Sequence, residues 1–197
     1  MPSLRYAAFR FPAERPDTAE RAVASRLDGV DGSAVIDHYR VPTDDHVLGW
    51  VVVDAGGPSS RAWADAWDSE DGGLELISAG SLKLLSEDGS LEGVEPTHLL
   101  PVTYTIDGAD LDDLDEWYVQ EHAGLLLTCP DWHRVRRCAT SDVVGNPWTR
   151  VILHDLTSAA VLQTPEIVAS MNTEWRTRLA ETSWFLAGGR EILERQD

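Results

Sequence analysis

The chain has 197 residues, 43% hydrophobic and 25% charged, enough for one large or two small domains with a buried core. This composition excludes a disordered, a collagen-like and a small disulfide-rich protein. Aspartate and glutamate number 34 against 16 lysines and arginines, a formal net charge of -18, and a surface this negative disfavours binding to nucleic acids and to anionic membranes.

The first half of the chain contains four strand-like and two helix-like runs. Alternating or β-branched residues bounded by turn residues predict strands over residues 4–11, 33–41, 46–55 and 81–86. Helical spacing predicts one helix from Asp17 to Gly29. A second, short helix begins at Ser59 or Ser60 and carries Trp63 and Trp67 on one face.

The second half repeats this order of elements. Its alternating runs predict strands over residues 98–106, 133–140, 148–156 and 184–193. A long helix is expected from Asp110 to about Leu127, where Cys129-Pro-Asp131 ends it. The last helix is expected to begin at Pro165 and to continue through Leu179.

The two halves align at an offset of about a hundred residues, which indicates two βαββαβ units in tandem. We therefore expect ferredoxin-like repeats at 1–87 and 98–197, joined by an acidic linker at 88–97. Each sheet would have helices on one face only, and the sister sheet could cover the other face. The predicted fold class is α+β, an intrachain counterpart of a dimeric α/β barrel; the alternative is another α+β fold in which the repeat is accidental.

A local motif in the second half carries a resemblance to a known family. The helix residues Glu116-Trp-Tyr-Val-Gln-Glu-His122 are followed by Pro130-Asp-Trp132 and by Arg137 in the next strand. This stretch, with Asn172-Thr-Glu-Trp-Arg176, resembles EthD-like proteins of the dimeric α/β-barrel superfamily, although aspartate replaces the usual glycine after the proline. The superfamily includes cofactor-free monooxygenases, lactone isomerases, polyketide cyclases, decarboxylases, haem-degrading enzymes and chlorite dismutases, so the resemblance implies a fold and selects no reaction.

The candidate catalytic residues are His122 and Tyr118, which belong to one stripe of the long helix. A partly buried histidine beside a cavity keeps its pKa near working pH and suits general acid–base catalysis. Tyr118, one turn earlier, could donate a hydrogen bond to a substrate oxygen. The alternatives are a core histidine satisfied by a backbone carbonyl and an aromatic side chain that fills the core. Glu121 lies off the stripe and is expected to be solvated or a distant partner.

The candidate substrate-binding residues come from the same helix and from three further elements, and are Tyr104, Trp117, His154, Trp175 and Arg176. The tryptophans of the chain could line an aromatic cavity for a flat, apolar ligand, or could fill a thick core. His154 and Arg150 share a strand face, and an inward pair could bind a carboxylate or an enolate; exposure at the sheet edge is the alternative. Arg176 could hold an anion or form a surface ion pair, and Trp175 is interpreted as a packing residue.

No metal or cofactor motif is present in the sequence. His-Glu-x-x-His, Cys-x-x-Cys, dinucleotide-binding and phosphate-binding loops are all missing, so no metal and no cofactor are expected. The sequence leaves haem binding open, because a single axial histidine ligand needs no motif. Cys129 and Cys138 are expected to be reduced and buried, and without a signal peptide the expected compartment is the cytoplasm.

Three functions are consistent with these features. The first is a cofactor-free enzyme of the cyclase, isomerase, dehydratase or decarboxylase type that moves protons on an aromatic or polyketide-like carbonyl compound. The second is a cofactor-free or haem-dependent monooxygenase, and the third is a ligand-binding accessory protein without activity. The expected partner is a small apolar or aromatic molecule, and a homodimer is left open.

Overall fold

A computed structural model describes residues 3–12, 37–42, 46–54, 61, 65 and 75–196. The helix predicted at 17–29 lies outside these residues, as do Trp63 and Trp67 of the predicted short helix. Arg61 and Asp65, in the same predicted helix, are helical and form an ion pair across one turn with an N–O distance of 3.2 Å.

The chain divides into two compact units, and each takes segments from distant parts of the sequence. The first unit contains residues 1–84, 140–147 and 193–197, and the second contains 85–139 and 148–192. Two long strands therefore begin in one unit and end in the other. Within the described part of the chain, no helix has the length and hydropathy needed to cross a membrane.

The first unit is built on an antiparallel sheet. Its strands are β1 (Ser3–Pro12), β2 (Asp37–Pro42), β3 (His46–Asp54) and β4 (Glu75–Gly89). They lie in the order β4–β1–β3–β2, so the first strand is between the third and the fourth. The four predicted strands are confirmed in the described residues, which do not include 33–36 of the second. β4 is longer than the predicted 81–86, because neither the small residues Ser78-Ala-Gly80 before that run nor the polar residues 87–89 after it continue its alternation.

Aromatic side chains form the core of the first unit. The Tyr6 and Trp50 rings stack with centroids 5.4 Å apart. Phe9, on the same strand as Tyr6, and Val51, next to Trp50 in sequence, are fully buried. The Tyr6 hydroxyl lies 2.9 Å from Ser78 Oγ, which supplies the hydrogen bond that a buried phenol requires. Burial raises the pKa of Tyr6 to about 12, so this side chain stays neutral.

The second unit has the same strand order as the first. Its strands are β5 (His98–Tyr104), β6 (Trp132–Gly145), β7 (Arg150–Leu156) and β8 (Gly189–Arg190). They lie in the order β8–β5–β7–β6, again with the first strand between the third and the fourth. The end of β6, at 140–145, belongs to the first unit, as does β9 (Leu193–Arg195), which pairs with β2.

Helices of the second unit cover one face of its sheet. The long predicted helix runs as α1 (Gly108–Trp117), a π-helical turn (Tyr118–His122) and α2 (Ala123–Leu126). A 3-10 helix (Ala159–Gln163) follows β7. The chain then forms α3 (Pro165–Ser170), α4 (Glu174–Leu179) and α5 (Ser183–Leu186). The predicted α+β class is thus confirmed.

Two predictions near the C-terminus are wrong. The helix expected to run from Pro165 to Leu179 is broken at Thr173, whose backbone is extended and whose hydroxyl accepts a hydrogen bond from the Arg176 N–H. The strand expected over 184–193 is largely absent, since Trp184 lies in α5 and only residues 189–190 pair with β5. A short apolar run fits a buried helix as well as a strand, and here Phe185 is buried on a short helix.

A buried carboxylate on β7 connects this strand to β6. Asp155 on β7 is 1% exposed and accepts hydrogen bonds from Arg134 Nε at 2.8 Å and Arg136 Nη2 at 3.1 Å, both on β6. The two guanidinium groups neutralise the buried charge and satisfy both carboxylate oxygens. This contact fixes β6 against β7 beside the functional residues described below.

Replacing Asp155 with asparagine should destabilise the protein strongly, because Arg136 would be left as a buried cation without a counter-charge. Loss of one partner of a buried pair costs about 3–5 kcal/mol, and chemical denaturation measures it. Glu75→Gln is the matched control, because its pair with Arg10 is exposed, and it should cost less than about 1 kcal/mol. Equal costs for the two variants would contradict this account of Asp155.

Candidate functional site

The second unit encloses a cavity of about 550 Å³ between its sheet and its helices. Most of the lining is apolar: Leu100, Val102, Leu126, Trp132, Leu162, Ile167, Met171, Phe185 and Ile192. The remaining lining residues are Tyr104, Trp117, Tyr118, His122, His154, Arg176, Arg190 and Glu191. An apolar chamber with a few polar groups is the usual form of a small-molecule site.

The π-helical turn determines which helix residues reach this cavity. The Ala123 N–H donates to the Tyr118 carbonyl, five residues earlier, in place of the usual four. In a regular α-helix, residues five apart point about 140° away from each other. Here Trp117 and His122, which are five apart, stack with ring centroids 3.9 Å apart and an interplanar angle of 17°. The wider turn therefore brings both rings to the cavity.

Glu121 fixes this turn to the neighbouring helix. Its Oε1 accepts hydrogen bonds from Trp117 Nε1 at 2.9 Å and from the Thr173 hydroxyl at 2.6 Å. Thr173 is the residue that starts α4, so one carboxylate oxygen holds the indole and the helix start together. Glu121 was expected to be solvated or a distant partner, and the structure instead makes it a positioning residue beside the site.

His122 is more deeply buried than its sequence position suggests. The side chain is 5% exposed, and its Nδ1 has no hydrogen-bond partner among the described residues. Burial, followed by electrostatic interactions with His154, Arg176 and Arg190, holds the pKa of His122 well below 6.5. The expectation of a partly buried histidine with a pKa near working pH is therefore wrong. The imidazole is neutral at pH 7, with Nδ1 not committed to any backbone carbonyl.

His154, on β7, has a tautomer that the structure defines. Trp132 Nε1 donates to His154 Nδ1 at 3.2 Å, and an indole N–H can only donate. Burial lowers the pKa of His154 to about 3, so the ring is neutral and its single proton resides on Nε2. That Nε2–H has no acceptor in the described part of the chain. His154 therefore contributes a hydrogen-bond donor to the cavity wall.

Two tyrosines contribute neutral phenols to the same cavity. Burial raises the pKa of Tyr118 well above 10 and that of Tyr104 to about 12, so both keep their protons. The Tyr118 ring contacts His122 edge-on, with centroids 5.1 Å apart, and lies 6.2 Å from His154. One phenol and two neutral imidazoles are thus adjacent.

Two arginines flank Phe185 at the same cavity. Arg176 on α4 donates to the Met171 carbonyl at 3.1 Å, and its guanidinium carbon lies 5.7 Å from the Phe185 ring centroid. Arg190 on β8 donates to the Phe185 carbonyl at 2.8 Å and lies 5.1 Å from the same centroid. The ring therefore stacks with both cations.

The structure brings most of the sequence-predicted site residues together. Those that line the cavity are Tyr104, Trp117, Tyr118, His122, His154 and Arg176. Trp175 does not line it, because its Nε1 donates to Asp113 Oδ1 at 2.9 Å on the outer side of α1. Sequence reasoning missed Phe185 and Arg190, which the strand expected over 184–193 concealed. Trp132 was noted as part of the motif and as one of the tryptophans that could line the cavity, and it does line the cavity. Nothing in the sequence indicates its bond to His154.

Metal or haem ligands are not organised in this cavity. The described residues contain no group of three or more His, Cys, Asp or Glu side chains that could hold a metal ion. A ligating histidine normally donates its second N–H to an acceptor that orients the ring. His154 Nδ1 instead accepts from an indole, and His122 Nδ1 has no partner among the residues described. Neither imidazole therefore has the support that an axial haem ligand requires.

The fold is identified by solved structures and not by related sequences. No family model matches the chain. No curated protein sequence matches it either.

Solved structures resemble the chain over nearly its whole length. An anthrone oxidase-like protein aligns with a TM-score of 0.59 at 9% identity, covering 98% of this chain and 92% of that one. A mutant chlorite dismutase from Candidatus Nitrospira defluvii aligns at 0.57 and 10% identity, covering 100% and 91%. A ferredoxin-fold protein related to antibiotic biosynthesis monooxygenases, from Listeria monocytogenes, aligns at 0.53 and 10% identity, covering 100% and 96%. The chain therefore has the ferredoxin-like fold of these proteins, and its function has to be argued from the cavity.

Proposed function

We propose that the cavity binds a flat carbonyl compound of the aromatic or polyketide type and that His122 removes a proton from a carbon that is next to the carbonyl or conjugated with it, without a cofactor. The observation that carries this proposal is the neutral, deeply buried His122, whose Nδ1 has no partner among the described residues. A volume of about 550 Å³ with mostly apolar walls suits a ligand of two or three fused rings.

Two neutral donors complete the proposed reaction. When His122 takes the proton, negative charge develops on the carbonyl oxygen. The Tyr118 hydroxyl and the His154 Nε2–H both line the cavity, and neither donates a hydrogen bond to any other described residue. Fixed donors in a site with little water stabilise such an oxyanion strongly.

The low pKa of His122 is compatible with this role. It ensures that the imidazole is unprotonated at pH 7 and ready to accept a proton. The low basicity of His122 is compensated, because the imidazolium and the enolate form an ion pair in surroundings of low dielectric constant. Returning the proton to another carbon gives isomerisation. Attack of the enolate carbon on a second carbonyl of the same molecule, whose oxygen then takes the proton, gives cyclisation, and loss of a β-hydroxyl group, which leaves as water with that proton, gives dehydration.

Exchange of the C10 protons of anthrone with D₂O under nitrogen, followed by NMR, tests the proposal. Anthrone is a three-ring ketone with an acidic methylene group. His122→Gln should slow exchange about a hundredfold to ten-thousandfold, the contribution of a positioned base. Tyr118→Phe should slow it about tenfold, because one hydrogen bond to developing charge is lost. His133→Gln, a histidine bonded to Thr157 and not in the lining, is the control and should keep the full rate.

The rate of exchange should also depend on pH in a defined direction. Because burial lowers the pKa of His122 well below 6.5, the base stays unprotonated through neutrality. The rate should be constant from about pH 6.5 upwards and fall only at lower pH. A normal rate in folded His122→Gln protein, or an inflection at pH 6.5 or above that His122→Gln abolishes, would contradict the proposal.

A second candidate function, oxidation by molecular oxygen, is favoured by the likeness to an anthrone oxidase-like protein. It begins with the same proton transfer, because the resulting carbanion is the species that reacts with oxygen. For anthrone, the methylene would become a carbonyl: one oxygen atom enters the product, and the other leaves as water with the two hydrogens. The four electrons lost by the carbon reduce one molecule of oxygen.

Oxygen consumption separates the two candidates. With anthrone in air, an oxidase should consume one molecule of oxygen for each anthraquinone formed, at a rate above that of buffer, and His122→Gln should abolish the excess. A pure proton-transfer enzyme should catalyse the exchange under nitrogen and consume no extra oxygen in air. Oxygen electrode and product analysis measure both, and a rate equal to the buffer rate in air excludes the oxidase.

We also propose that the chain is a tandem pair of ferredoxin-like units related to EthD-like proteins. The shared strand orders, β4–β1–β3–β2 and β8–β5–β7–β6, support the repeat. The family resemblance is supported by Trp117, Tyr118 and His122 of the motif, which all line the cavity.

Expression of residues 1–92 alone tests how independent the first repeat is. The first compact unit includes 140–147 and 193–197, which lie outside this fragment. The Asn146 N–H donates to the Ile77 carbonyl at 2.9 Å, so the fragment would expose the backbone groups of β4. It should be unfolded or aggregated by circular dichroism and light scattering. A stable, soluble, monomeric fragment would show that the unit folds without the later segments.

A further inference from the structure

The guanidinium groups of Arg176 and Arg190 are the only cations in the described lining of the cavity. Arg176 is partly buried and Arg190 is exposed, so the pair lies where the cavity meets solvent. Both lie over the Phe185 ring, each donates to one backbone carbonyl, and Arg190 also makes a side-chain hydrogen bond with Tyr104. Most of their N–H donors are therefore left for a further acceptor.

Neither arginine has an acidic partner in the part of the chain that the structure describes. Among the described residues, no ion pair within 4.0 Å involves Arg176 or Arg190, although Glu191 also lines the cavity. This is unusual for a chain with a net charge of -18, in which carboxylates outnumber cations by two to one. By contrast, Arg178, two residues after Arg176, pairs with Asp113 at 2.6 Å.

The two charges also act on each other and on the cavity. Burial, followed by the like charge of Arg190, lowers the pKa of Arg176. At Tyr104, where burial raises the pKa to about 12, the charges of both arginines oppose that rise. An unneutralised pair of this kind costs free energy in the free protein, and an anion that binds between the guanidinium groups removes the cost.

We infer that the ligand of this cavity is an aromatic carboxylate, whose rings lie in the apolar chamber and whose carboxylate is held at its mouth by Arg176 and Arg190. The inference rests on the proposed function, because it specifies the substrate class of the same site. A planar guanidinium binds a carboxylate through two parallel hydrogen bonds, and the guanidinium carbons of both arginines lie within 5.7 Å of the Phe185 ring centroid. The charge thus determines which end of the ligand enters the cavity.

Calorimetric titration of the full-length protein with 2-naphthoate and with neutral 2-naphthamide tests this inference. The two probes have the same ring system and differ in charge. The wild-type protein should bind 2-naphthoate at least about tenfold more tightly than 2-naphthamide, the contribution of hydrogen bonds to a charged group. Added salt should weaken only the binding of 2-naphthoate.

Substitutions then assign the preference to the two arginines. Arg176→Gln and Arg190→Gln should each lower the affinity for 2-naphthoate about tenfold and leave that for 2-naphthamide unchanged. Arg178→Gln is the matched control on the same helix and should change neither affinity. A preference that survives in the double variant, equal binding of both probes, or no binding of 2-naphthoate up to its solubility would each overturn the inference.

The same titration with His122→Gln protein separates this inference from the proposed function. The variant should keep the preference for 2-naphthoate, because its arginines are intact. If the preference holds and the anthrone exchange does not depend on His122, the proposed reaction falls and the carboxylate site stands. If the exchange depends on His122 and the charge preference is absent, the reaction stands and the ligand class is wrong.

Discussion

The i→i+5 hydrogen bond from Ala123 to Tyr118 is the constraint on which the cavity depends. With regular α-helical turns, Trp117 would point away from His122, and one of the two would leave the cavity wall. A π-helical turn costs stability relative to an α-helical one, and such turns are often found at functional sites. Here the cost is offset by the stacking of indole on imidazole and by the bonds that Glu121 makes to Trp117 and Thr173.

Burial then determines the protonation state of each polar group that faces the cavity. Removal from water disfavours charge, so both histidines are neutral and both tyrosines are protonated at neutral pH. Arginine is the side chain that keeps its charge when partly buried. The cavity therefore combines a neutral interior, able to exchange a proton, with positive charge at its mouth.

Sequence patterns predicted the elements with strong periodicity and missed those that tertiary contacts create. Strand alternation located β1, β3, β5 and β7 within about two residues, because one or both faces of each strand are buried. The motif around His122 located the helix wall of the cavity. The π-helical turn, the bond from Trp132 to His154 and the position of Arg190 depend on residues distant in sequence or on a local irregularity. No periodic pattern records such features.

Three short helices beside the long helix contribute to the cavity wall, and this has a consequence for how a ligand and the wall stabilise each other. α3 and α4 have six residues each and α5 has four, far fewer than the 12 or so that an isolated helix needs in water. Their order depends on side chains such as Ile167 and Phe185 that pack into the cavity. A molecule that fills the cavity contacts those same side chains. Ligand binding and the folding of these three helices are therefore thermodynamically linked, so that each stabilises the other.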